Sequence, residues 1–304
     1  MRGLKRDFML LLLLLPVLLL PGMPASAHTA HRDREWSATK EGNVEKTLSF
    51  AGGTGARSLT VDNFEGAVTV TGRHARDGAE VHVVVHQSYR ADSQEKLAVA
   101  EREVKLEVSQ SGNHIELLMD GPFRCKCKDG GTDFHGWDRV GYEARFDFEL
   151  QVPEDLDLVV RTVNGGDVKV RDVHGNLELA NVNGGIETSG VAGAVNAHTV
   201  NGPVHVSFAR NPSGSCQFHS VNGKLDVGFK SGLAADLNFK TLNGEVYSDF
   251  PYSYRPLPAG KAERRQGKFV YRSHGGFAVR VADGGPEMAF STINGDILIR
   301  NQDL

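Results

Sequence analysis

Thr162-Val163-Asn164-Gly165 decides the fold, because the chain keeps returning to it. It recurs as Asn181-Val182-Asn183-Gly184, Thr199-Val200-Asn201-Gly202, Ser220-Val221-Asn222-Gly223, Thr241-Leu242-Asn243-Gly244 and Thr292-Ile293-Asn294-Gly295. The asparagines stand 19, 18, 21 and 21 residues apart, and then 51. A period of roughly 20 residues is the signature of stacked structural units. A second phrase runs in phase with the first, as Gly175-x-Leu177-x-Leu179, Gly193-x-Val195-x-Ala197, Gly214-x-Cys216-x-Phe218 and Ala235-x-Leu237-x-Phe239. Each unit therefore holds two short strands and two turns.

Asn-Gly is also the strongest short signal for a two-residue hairpin, so an antiparallel meander competes. Equivalent positions match at the longer period, however, and the two turn types stay distinct. The pattern predicts an all-β chain, a β-solenoid of the parallel β-helix kind, with Asn164, Asn183, Asn201, Asn222, Asn243 and Asn294 in one turn ladder. Asparagine tolerates a left-handed turn and the following glycine supplies it freely. Stacked amides also donate and accept along a column. Val163, Val182, Val200, Val221, Leu242 and Ile293 are expected to point inward. The same is expected of the strand pairs Val168/Val170, Val204/Val206, Leu225/Val227 and Ile297/Ile299.

Outward from this array, residues 1–27 read as a cleaved signal peptide. Arg2, Lys5 and Arg6 precede the apolar run Met9 to Leu20, and Ala25-Ser26-Ala27 forms a small-residue cleavage site. Pro16, Pro21 and Pro24 argue against an uncleaved anchor, and no cysteine near the cut invites a lipid. The mature protein is expected to be exported and soluble, in the periplasm, at the cell surface or outside the cell. No later segment approaches the ~20 apolar residues a spanning helix needs. Residues 28–47 read as a polar, loosely ordered arm, and 48–304 as one domain with insertions at 121–141 and 251–272. Within it, Leu59 to Val70 is a divergent first copy whose Asn63 and Gly66 are separated. Asp92 to about Glu103 is the one helix candidate, with Asp92 and Glu95 as its capping pair. Tyr142 to Val152 alternates cleanly as a strand that Pro153 ends. Net charge is −4 over 304 residues, which gives no electrostatic case for nucleic acid.

The residues resemble a family, the bacterial "putative adhesin" β-solenoid domains of unknown function. The likeness rests on the strand Phe148-Glu149-Leu150-Gln151-Val152-Pro153 entering the first Thr-Val-Asn-Gly and on the successive Val-Asn-Gly units. It extends to the closing Phe290-Ser291-Thr292-Ile293-Asn294-Gly295-Asp296-Ile297 and the early Leu59-Thr60-Val61-Asp62-Asn63, so it covers roughly residues 48 to 300. It implies an exported, envelope-associated β-solenoid with no catalytic residues to carry over. The Cys125-Lys126-Cys127 loop and the 251–272 insertion depart from that pattern.

Three groupings carry candidate chemistry. Glu187, His205 and Asp226 fall on neighbouring units and would form a carboxylate–imidazole–carboxylate row, suited to acid–base work or a metal, or a plain solvated face. His198 and His219 occupy matching positions and would stack, as a metal pair, a pH-sensitive seam or ordinary exposed histidines. Cys125, Cys127 and His135 offer a disulfide, free or intermolecular thiols, or a metal site. Cys216 falls in the inward column and reads as a buried thiol. No G-x-S-x-G, H-E-x-x-H, phosphate loop or dinucleotide fingerprint occurs. The reading that follows is an exported, non-enzymatic interaction protein of the bacterial cell envelope without cofactors. Its partner would be an envelope component or surface protein. The alternatives are a carbohydrate-active β-helix enzyme working through Glu187/His205/Asp226, or a metal or redox role of the Cys125–Cys127 loop. Intact-mass analysis of the exported protein is expected to place its first residue at His28; an uncut N-terminus would refute the signal-peptide reading.

Overall fold

Alternation of apolar and polar side chains sorts the central strands into one buried and one outward face, and two large sheets result. The structure is a computed structural model that describes residues 35–51, 55–74, 79–124, 137–256, 263–265, 268–270 and 276–304. The residues from Trp36 onward form a single unit. The chain enters on β1 (Ala38–Ser49), β2 (Ser58–Asp62), β3 (Val68–Arg73) and β4 (Glu80–Ala91). The helix α1 (Gln94–Glu103), β5 (Lys105–Ser111), β6 (His114–Asp120) and β7 (Tyr142–Pro153) follow. Strands then come in pairs: β8 (Asp157–Arg161) with β9 (Val168–Arg171), β10 (Leu177–Ala180) with β11 (Ile186–Val191), and β12 (Val195–Asn201) with β13 (Val204–Phe208). Two more are β14 (Cys216–Asn222) with β15 (Leu225–Phe229), and β16 (Ala235–Lys240) with β17 (Val246–Ser248). The chain closes through β18 (Tyr252–Arg255), the hairpin β19 (Glu263–Arg265) and β20 (Lys268–Val270), β21 (Phe277–Val281), β22 (Glu287–Ser291) and β23 (Ile297–Asn301).

The first member of each pair enters one sheet and the second enters the other, so each pair makes a rung. The ten-stranded sheet runs β1-β4-β7-β3-β9-β11-β13-β15-β23-β17, and the eleven-stranded sheet β18-β21-β16-β22-β14-β12-β10-β8-β2-β6-β5. The long central series is parallel in both sheets. Strands β1, β4 and β5 extend one end antiparallel, and β21 and β18 extend the other in one sheet. The core lies between the sheets, and Val168, Val170, Val204, Val206, Leu225, Val227, Ile297 and Ile299 are all buried in it. Phenylalanines stack along it, with Phe218–Phe290 ring centroids 5.0 Å apart and Phe239–Phe290 5.2 Å apart. Burial of each such side chain is worth about 1.5–3 kcal/mol before conformational entropy is charged.

Rung order departs from sequence order at both ends. The rung β6/β7 lies outside β2/β3, although β2/β3 comes first in the chain. The last rung, β22/β23, lies between β14/β15 and β16/β17. The 51-residue interval between the last two asparagines thus marks a rung that returns to an interior position.

Four local expectations need correction. Residues 28–47 were expected as a loose arm, but from Ala38 the chain is an edge strand paired throughout with β4. Backbone hydrogen bonds hold it and most of its side chains are exposed, so it carries no apolar period. The helix cap is Ser93, whose hydroxyl accepts from the Lys96 N–H at 3.2 Å, not Asp92. The residues before each Asn-Gly are not core: Val200, Ile293 and Leu242 are 38%, 42% and 76% exposed, and Val163, Val182 and Val221 are half-buried, Val163 against the edge of the core. The strand period places Thr162, Thr199, Ser220 and Thr292 inward instead, so the next residue must face out. Finally, of the glycines following these asparagines only Gly165 has a positive φ (79°).

The other turn glycines answer a different demand. A Cβ on Gly184, Gly202, Gly223, Gly244 or Gly295 would strike a glycine carbonyl of the adjoining rung. Gly202→Ala is expected to force neighbouring rungs apart and destabilise the fold by about 1–3 kcal/mol, the scale of an overpacked core. Gly42→Ala, where a Cβ meets nothing within 4 Å, is the matched control. Equal urea midpoints for the two variants would contradict this account.

Candidate functional site

Where each rung turns between the sheets, two columns run side by side. Asparagine amides form the first. Asn243 donates its amide N–H to Asn294 Oδ1 at 2.7 Å, Asn294 to Asn222 at 2.7 Å, and Asn222 to Asn201 at 2.9 Å. Asn201 then donates to Asn183 at 2.8 Å, and Asn183 to Asn164 at 2.7 Å. All point the same way, and Asn164 passes its hydrogen bond to Glu65. Glu65 occupies the asparagine position of the divergent rung, bridged to Asn164. Its carboxylate only accepts, which suits the end of a donor chain. Burial pushes the Glu65 carboxyl above its ordinary value, against hydrogen bonds from the Trp137 indole and Asn164.

Beneath the amides lies a column that sequence reasoning missed. The hydroxyls of Thr162, Thr199, Ser220, Thr292 and Thr241 each donate to a glycine carbonyl on the adjoining rung, at 2.8–3.2 Å. Asn181 and Asn63 fill the same position with side-chain amides. The signal was present in the sequence: the residue two before each ladder asparagine is Thr, Ser or Asn in every copy. Outward of it runs a second column beside the amides, in which Val200, Ile293 and Leu242 are exposed and Val163, Val182 and Val221 are half-buried. The corner is therefore a strip of amides flanked by apolar side chains, repeating at the strand spacing of about 4.8 Å.

Strand register sets Lys169, Glu187, His205 and Asp226 in one outward row, with Leu298 between Asp226 and Tyr247. The row is tied off by cations. Glu187 lies 3.9 Å from Lys169, and Asp226 lies 3.2 Å from Lys224 and 2.7 Å from Arg300. Burial raises the Asp226 carboxyl, but Arg300 and Lys224 outweigh it and hold the group below the usual carboxylate range. His205 and Asp226 border an open depression with Asp249, Arg300 and Gln302.

His198 and His219 face each other across β12 and β14, with ring centroids 5.4 Å apart. Burial, the facing His198 and the charge of Lys240 hold His219 below the ordinary imidazole value, against a hydrogen bond to the Ser291 backbone. Among the described residues no group of three or more His, Cys, Asp or Glu side chains converges on a metal position. Cys125, Cys127 and His135 lie outside the described residues. Cys216 is buried in a column with Val195 and Met288, and burial pushes its thiol up.

No family model matches the chain and no curated protein matches it. Among solved structures it is similar to a "putative cell adhesion protein" from Clostridium sporogenes, at 11% identity over 86% of this chain and 100% of that one, TM-score 0.42. It is similar to a "putative adhesin" from Bacteroides fragilis, at 10% identity over 86% and 97% of the two chains, TM-score 0.37. A "putative adhesin" from Parabacteroides distasonis follows, at 11% identity over 85% and 97%, TM-score 0.20. These neighbours carry the description that the sequence resemblance gave.

The ladder's terminus can be tested by titration. A carboxyl whose folded pKa is raised stabilises fully below its unfolded value, 4.5, and loses that contribution as pH rises through the folded value. Glu65→Gln keeps an acceptor for Asn164 and has nothing to ionise. The denaturation midpoint of Glu65→Gln is expected to gain on the wild type between pH 4.5 and neutrality. Parallel pH profiles would show that Glu65 is not the burdened end of the ladder.

Proposed function

We propose that this chain is an exported, non-enzymatic β-solenoid, adhesin-like, that binds a hydroxyl-rich polymer of the bacterial envelope along its asparagine corner. In this reading residues 1–27 are removed on export, and each rung from β2/β3 onward is one coil. The observation that supports it is the corner strip. An amide has two N–H donors and two carbonyl lone pairs, and the ladder engages one of each. Each interior asparagine thus keeps one donor and one acceptor for the outside. The neighbouring valines, Ile293 and Leu242 offer apolar contact to the carbon face of a sugar. A repeating strip of this kind fits an extended, repeating ligand, and weak contacts at each coil sum along its length.

The enzyme alternative has less support. Its best row, Glu187/His205/Asp226, spends Asp226 on Arg300 and Lys224, and a charge held by two cations makes a poor proton acceptor.

Purified residues 28–304 are expected to bind envelope glycans in a sedimentation or glycan-array assay. Val200→Glu with Ile293→Glu, both outward-facing, is expected to weaken binding at least tenfold while leaving the melting temperature within about 2 °C of wild type. Failure to bind any envelope fraction, or binding indifferent to the double substitution, would remove the basis of this reading.

A further inference from the structure

The terminal rung sits where sequence order does not put it. Strand β22 lies between β14 and β16, and β23 lies between β15 and β17. Asn294 accordingly receives a hydrogen bond from Asn243 and gives one to Asn222. Thr292 donates to Gly223 O on one side, and Thr241 donates to Gly295 O from the other. The slot it fills has walls that match each other. Cys216 and Leu237 flank Met288, and Phe218 and Phe239 flank Phe290. Rung β16/β17 precedes the terminal rung in the chain, yet the terminal rung occupies the slot that separates it from β14/β15.

The connection that delivers the insert is strained. Ala282 has φ 50°, one of two non-glycine residues with positive φ among the described residues. Gly284, two residues on, has φ 78°. The connection Ala282–Pro286 steps over the start of β16, where a Cβ on Gly285 would press on the Ala234 carbonyl. Short, strained connections favour exchange of an identical element between copies, because opening relieves the strain while every contact of the insert is regained. The insert also carries its own anchors to the slot. Arg300 pairs with Asp226 at 2.7 Å, Gln302 donates to Gly228 O at 2.7 Å, and Asp303 accepts from the Ser231 N–H at 2.7 Å. None of these contacts depends on the insert belonging to the same chain.

We propose that the terminal rung with its anchoring tail, residues 287–303, is an exchangeable insert, and that the slot between β14/β15 and β16/β17 takes the same rung from a second copy of this chain. This goes beyond the polymer-binding reading and stands independently of it, since an unexchanged monomer keeps the whole corner. Exchange links copies without any new interface and gives a surface-binding protein a route to self-association.

Gln217 and Ala289 face each other on the outward side of β14 and β22, clear of both columns. Two full-length chains are made, one with Gln217→Cys and one with Ala289→Cys, each also carrying Cys125→Ser and Cys127→Ser and a distinct size tag. Neither can cross-link within itself through the new pair. The two are unfolded together, refolded at increasing concentration, oxidised and run on a non-reducing gel. The expected result is a mixed disulfide dimer above the level of either like-with-like dimer. Its yield should rise with refolding concentration and drop several-fold when Ala282→Gly removes the backbone strain from both chains. A mixed dimer no more abundant than the like-with-like dimers would overturn the proposal. The chain without substitutions provides a second readout. After refolding at high concentration it should show a dimer by light scattering, and elution wholly as monomer would equally overturn it.

Discussion

Close approach between successive rungs governs this structure. Parallel strands lie about 4.8 Å apart, and the corners must stack as tightly as the strands do. At that spacing the carbonyl of one turn glycine occupies the place where the next would carry a Cβ. Glycine is required there for room far more than for left-handed backbone, since only Gly165 uses a positive φ. The buried carbonyls so created need donors, because an unpaired polar group in the core costs about 1–3 kcal/mol. The hydroxyls of Thr162, Thr199, Ser220, Thr292 and Thr241 supply them.

The outer chemistry follows from that inner requirement. With the hydroxyl turned inward, period two turns the next residue outward, and the asparagine after it reaches the next asparagine along the edge. The same constraint that packs the corner thus exposes an apolar column and polarises an amide column. The ladder has a direction, and an acceptor-only carboxylate at Glu65 closes it. Scaffold and candidate surface are two sides of one column of tetrapeptides.

Much of this was legible in the residues. The recurrence of Asn-Gly and the midpoint phrase marked the paired strands, and the alternation in Val204/Val206 or Ile297/Ile299 marked which side is buried. The failures were specific. Apolarity marks Val200, Leu242 and Ile293 as core, whereas the preceding Thr takes the inward position through a hydrogen bond that hydropathy does not register. Residues 38–47 carry no strand signal because an edge held by backbone pairing with β4 needs no apolar face. Glu65 was hidden because Asn63, the visible asparagine, belongs to the inward column, and only the bridge to Asn164 shows which residue continues the ladder.

The sequence by itself determined the all-β class, the positions of the turns and most of the inward-facing strand residues, since each depends on local pattern and on the size and polarity of single side chains. Only the tertiary structure decided the order of the rungs. Periodicity makes the rungs alike: Phe218, Phe290 and Phe239 occupy one column, and Asn222, Asn294 and Asn243 another. A stack built from interchangeable units carries no local record of which unit is neighbour to which. That choice is made by what is unique. The tight connection over β16 and the anchors Arg300, Gln302 and Asp303 bring the last Asn-Gly back between two rungs that precede it in the chain.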